Sequence, residues 1–108
     1  MQIQVSTQHL SVNKEHTAKY VREVLLKALM PYRQHITTVE VHIQDTNGDK
    51  NTPMDKQCTI EVHVAKLAPC VVQAKATDLH HLIHSAANKI KTVVAKKTSK
   101  RQRTSLTS

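Results

Sequence analysis

The chain has no Trp and no Phe, and Gly48 is the single glycine among its 108 residues. The dinucleotide fingerprint, the Walker loop and the Gly-x-x-Gly clamp of KH modules each need at least two glycines, so all three are excluded. Tyr20 and Tyr32 are the only aromatics, too few for a base-stacking platform of the RRM or single-strand-binding kind. A nucleic acid bound here would be read by its backbone and shape. Cysteine is also scarce, with Cys58 and Cys70 alone. Residues 1–10 alternate polar and apolar side chains and lack the cationic start and apolar core of a signal peptide, so a cytosolic protein with reduced thiols is expected. No stretch approaches the roughly 20 apolar residues of a membrane span. Acids are missing from one region altogether: after Asp78 there is none.

What is present is cationic charge at one end. The formal net charge is +8. Beyond Asp78 stand Lys89, Lys91, Lys96, Lys97, Lys100, Arg101 and Arg103, whereas the first 78 residues are close to neutral. A concentrated basic stripe is the footprint of a polyanion ligand, most often nucleic acid, with an anionic membrane surface as the other common choice. An ordinary solvated helix mixes both signs to gain i, i+4 pairs, and this one does not.

The length allows one modest core. Ile3 and Val5 alternate with polar neighbours over residues 2–6, the period of a half-buried strand. Asn13 is placed to cap a helix whose Ala18, Val21, Val24, Leu25, Ala28 and Leu29 recur at spacings of three and four, and Pro31 ends it. Residues 38–44 and 58–64 alternate as strands, with Val39, Val41 and Ile43, then Cys58, Ile60, Val62 and Val64, facing inward. Between them "DTNGDKNTPMDK" reads as a long polar hairpin loop. A fainter strand at 70–76 turns Cys70, Val72 and Ala74 inward. The last helix has the strongest period, carried by Leu79, Leu82, Ile83, Ala86, Ala87, Ile90, Val93 and Val94, with Thr77 or Asp78 as cap. It is expected to fade after Lys97, leaving residues 98–108 as a basic disordered tail beside a domain of residues 1–97.

The order β-α-β-β-β-α predicts an α+β fold: a four-stranded, mostly antiparallel sheet with two helices packed on one face, similar to double-stranded-RNA-binding modules. Ser85, Lys89, Thr92, Lys96 and Lys100 share one flank of the last helix, while His84 and Lys91 share the other. Lys19 and Arg22 share a flank of the first helix. The expected result is a cationic ridge made by two packed helices, able to follow a phosphate backbone.

The element order, together with "ITTVEVHI", "CTIEVHV" and "VVQAKATDLHHLIHSAANKIKTVVAKK", resembles the short form of the ribosome hibernation promoting factor family, which includes protein Y. Asp78, Ile83, Lys89, Ile90, Lys96 and Lys100 fit the family's last-helix pattern. His80 stands where the family usually has Tyr, His84 where Asp is frequent, and Thr92 where Arg is common. The resemblance implies a non-enzymatic protein, monomeric in isolation, that needs no cofactor. It implies binding to rRNA of the small ribosomal subunit where mRNA and tRNA would lie, alone or with other hibernation factors, and silencing of translation under stress or in stationary phase. Lys89, Lys96, Lys97 and Lys100 are then the leading rRNA contacts, with Lys19, Arg22, Lys91 and Arg101 in support.

Other chemistries fare worse. A general duplex-RNA binder keeps its cations at the start of the final helix, where this chain has Asp78, Leu79, His80 and His81. His80 and His84 are spaced i, i+4 as in metalloprotease helices, yet no Glu follows the first His and no third ligand is evident, so no metal is assigned there. Cys58 and Cys70 read as small core residues. Residues 45–51 have calcium-loop composition, with the Gly in the wrong place and no closing Glu. Glu40, His42, Glu61 and His63 lie on the open face of the expected sheet, where they meet water.

Overall fold

In a computed structural model the chain is described over residues 1–8, 13–45 and 56–107, with side chains to residue 99. The elements are β1 (Gln2–Gln8), α1 (Lys14–Leu29), a 3₁₀ turn at Met30–Tyr32, β2 (Ile36–Asp45), β3 (Lys56–Val64), β4 (Cys70–Ala76) and α2 (Leu79–Thr107). The strands form one sheet in the order β1-β2-β3-β4. β1 runs parallel to β2, and the other pairs are antiparallel. The expected α+β architecture is therefore the one observed.

Local chemistry sets the boundaries. Asn13, in extended conformation, accepts at Oδ1 from the His16 N–H at 3.0 Å and so caps α1. Asp78 does the same for α2, accepting at Oδ2 from the His81 N–H at 2.9 Å. Pro31 cannot continue the helical bonding of α1, and the chain tightens into the 3₁₀ turn there. The link from β3 to β4 turns through Lys66, at φ 66° in the left-handed region.

One face of the sheet builds the core. Val39, Val41 and Ile43 of β2 and Cys58, Ile60, Val62 and Val64 of β3 are buried, as are Cys70, Ala74 and Ala76 of β4. Against them α1 sets Val21, Leu25 and Leu29, and α2 sets Leu82, Ile83, Ala86, Ala87, Ile90 and Val94. α1 lies over β1 and beside α2, while α2 lies over β3 and β4. Truncating a fully buried side chain such as Leu25 or Ile60 to Ala costs about 2–5 kcal/mol in cores of this kind.

One expectation needs correction. The last helix does not fade after Lys97: Thr98 is 3% exposed with its Oγ1 donating to the Val94 carbonyl at 3.0 Å, and α2 runs to Thr107 through the stretch expected to be disordered. Residues 98–107 contain neither Pro nor Gly, and extending a helix that already exists needs no new nucleus. The hairpin loop expected over residues 45–56, with the calcium-like composition of residues 45–51, lies outside the described residues except for Asp45 at its start and Lys56 at its end.

Candidate nucleic-acid interface

The two broad faces of the molecule differ in charge. Register places Gln4, Glu40, Glu61 and Val71 in one row across the open face of the sheet, and Ser6, His42, Thr59 and Gln73 in the next. Lys75 is the cation that β4 adds to this face. The helical layer instead carries Lys14, Lys19, Arg22 and Lys27 on α1 and Lys89, Lys91, Lys96 and Lys97 on α2. Its acids are Glu15 and Glu23, with Asp78 at the α2 cap. The sign of the charge is thus sorted by layer.

Within that layer the cations do not form the single ridge that the sequence suggests. Lys89 donates to the Gln73 carbonyl of β4 at 3.0 Å, and Lys97 donates to the Ala68 carbonyl at 2.9 Å. Lys96 falls about 20° from Lys89 around the helix axis, so it shares the flank above β4. On the far side, Lys19 and Arg22 border a shallow cleft with Met1, Ile3, Glu23 and Leu26, and Arg22 Nε reaches the Ile3 carbonyl at 3.5 Å. The cationic flank of α2 therefore faces away from α1, because α2 must turn its opposite side to α1 when its stripe lies on β3 and β4. Lys100 and Arg101 lie where α2 is described by its backbone alone.

The groove between the helices is lined by Tyr20, Glu23, Val24, Lys27 and Ala28 from α1 and by His84, Ala87, Asn88 and Lys91 from α2. Lys27 and Lys91 thus line it from opposite helices. At one end the Tyr20 hydroxyl bridges two imidazoles, lying 2.8 Å from His80 Nδ1 and 2.7 Å from His84 Nε2. The two imidazole centres are 4.7 Å apart. His80 and His84 are thus committed to an inter-helix hydrogen-bond network, and among the described residues the only further side chain joined to both is a phenol. Lys27 and Tyr20 are among the residues of this groove that the sequence did not assign to the site. Their signal was positional, since each lies one helical turn from a residue on the α1 stripe.

Cys58 and Cys70 are buried, unpaired thiols on neighbouring strands. Cys58 stands opposite Ala74 and Cys70 opposite Val62, so register holds the two sulfurs apart. Glu40, Glu61 and His63 do not simply meet water as expected: His63 Nε2 lies 3.4 Å from Glu40 Oε2 and 3.2 Å from Glu61 Oε2. The hydrogen bond with Glu61, and then that with His63, hold the Glu40 carboxyl below its ordinary value. Among the described residues no helix is long and apolar enough to cross a membrane.

A family model described as Sigma 54 modulation protein / S30EA ribosomal protein matches residues 3–102. The chain is similar in fold to a ribosomal subunit interface protein from Coxiella burnetii, with a TM-score of 0.70 at 17% identity, covering 92% of this chain and 99% of that one. It is equally similar to the N-terminal domain of Protein Y from Thermus thermophilus, with a TM-score of 0.70 at 18% identity, covering 89% of this chain and 98% of that one. No curated protein matches the chain.

Proposed function

Because the chain belongs to the Sigma 54 modulation protein / S30EA ribosomal protein family, we propose that it is a ribosome hibernation factor that binds rRNA of the small subunit near the decoding region. There it occupies the path of mRNA and tRNA and silences translation in the cytoplasm under stress or in stationary phase. It works by occupancy and needs no cofactor or catalytic group. The observation that carries this reading is the sorting of charge by layer: the helical face is basic, and α2 holds no acid from Leu79 onward. A phosphate backbone recognised through such a face needs neither glycine loops nor stacking aromatics, which the chain lacks.

The assigned contacts are Lys89, Lys96 and Lys97 over β4, Lys91 in the inter-helix groove, Lys19 and Arg22 beside β1, and Lys100 and Arg101 on the last turns of α2. Lys89 and Lys97 hold their hydrogen bonds to Gln73 and Ala68 in the free protein, and an ammonium with three donors can keep one such bond while meeting a phosphate. The layer is broad, so the rRNA it fits is a surface of several backbone segments.

Co-sedimentation with vacant ribosomes through a sucrose gradient at near-physiological salt tests this. Wild type should travel with the small subunit, while Lys89→Glu/Lys96→Glu stays at the top with an unchanged circular dichroism spectrum. Undiminished binding by that variant would remove the site assignment. If wild type also stays at the top and instead binds arbitrary RNA duplexes, the general duplex-RNA reading replaces the ribosomal one.

A further inference from the structure

Away from the basic layer, the open face of the sheet brings two carboxylates and an imidazole to one point. Glu40 of β2 and Glu61 of β3 stand directly opposite each other, and His63 lies two residues along β3 on the same face. Like charges directly opposed across strands are destabilising. Among the described residues no Lys or Arg pairs with either carboxylate; both meet His63 instead. A single imidazole nitrogen between the two carboxylates relieves the repulsion only in part. A dication would relieve it fully.

The distances fit a particular class of ion. Bonds of about 2.0–2.1 Å at the tetrahedral angle place neighbouring ligand atoms about 3.3 Å apart. The His63 nitrogen lies 3.2 Å and 3.4 Å from the two carboxylate oxygens, and all three ligand atoms lie within 4.8 Å of one another. Two carboxylates with one imidazole form a mixed O/N set suited to zinc, whereas magnesium and calcium favour all-oxygen shells. Two paired strands hold the three side chains, which are each between about a third and two fifths exposed, so an ion can enter from solvent and a water can complete the shell.

We propose that Glu40, Glu61 and His63 form a zinc-binding site on the open face of the sheet, away from the basic helical layer. An ion there ties β2 to β3 through side chains as well as through the backbone ladder. The site is independent of the ribosome-binding reading, because it shares no residue with the basic layer.

The test is titration of chelator-treated protein with zinc chloride alone, followed by calorimetry and by the thermal midpoint. His80→Gln/His84→Gln serves as the background that removes the competing i, i+4 pair. One zinc per chain should bind at micromolar or tighter concentration in wild type and in that background, with a rise in the midpoint. Glu61→Gln and His63→Gln should each weaken binding by at least about 10-fold. Glu61→Gln should also leave the metal-free protein at least as stable as wild type, since it removes the opposed charge; a merely structural role would instead lower stability. Zinc that binds equally well to both ligand variants, zinc that is lost with the His80 and His84 pair alone, or no binding at micromolar concentration would each overturn the proposal.

Discussion

Burial pushes the Cys58 thiol up to about 12, so at neutral pH it is a thiol and not the reactive thiolate. The folded protein should leave Cys58 unlabelled by a thiol reagent at pH 8 over a time in which the urea-unfolded chain is labelled fully; equal rates in both states would contradict its burial. The linkage runs in one direction. An unfolded thiol ionises near about 8.5, so the stability from keeping it neutral is present below that pH and is lost as pH rises toward about 12. At this scale much was legible beforehand. Alternation placed Cys58 inward and helical spacing put Lys19 with Arg22, because both follow from the period of one element. The bonds of Lys89 to Gln73 and of Tyr20 to His80 and His84 join residues 16, 60 and 64 positions apart, and no local period encodes such pairs.

Among the elements, the helix caps agree most closely with sequence chemistry. Asn13→Ala should lower stability by about 0.5–2 kcal/mol, read as a drop in the urea midpoint with an unchanged slope; no change would mean that the His16 N–H finds water equally well. The span of β4 matches its expected residues, bounded by Pro69 before it and by the Asp78 cap after it. β1 and β3 each run two residues further than their apolar alternation, because backbone pairing with a neighbour continues past the last side chain that needs burial, whereas β2 gains three, among them the buried Ile36 beyond a register irregularity. α2 overruns for a different reason. Its apolar stripe ends near Val94, but Lys, Arg and Gln sustain a helix already nucleated. A stop signal of Gly or Pro was required to end it, and none occurs.

For the whole molecule, the basic helical face against the open sheet makes association with RNA depend on salt. The logarithm of the ribosome-binding constant should fall linearly with the logarithm of salt concentration, and Lys89→Glu/Lys96→Glu should make that slope shallower by roughly 2. A slope unaltered by the variant would place the phosphate contacts elsewhere. The sequence by itself determined the elements, most of their inward faces though not Val93, which is 36% exposed, the absence of loop-based phosphate or stacking chemistry, and the cationic bias of α2, since each depends on residue type and on spacing within one segment. Only the tertiary structure decided where those faces point. Laying the α2 stripe on β3 and β4 turned Lys89 and Lys96 away from α1 and left Lys27 and Lys91 to share the groove. Strand register brought Glu40, Glu61 and His63 to one point. Such placements come from packing one element on another, a geometry with no counterpart along the chain.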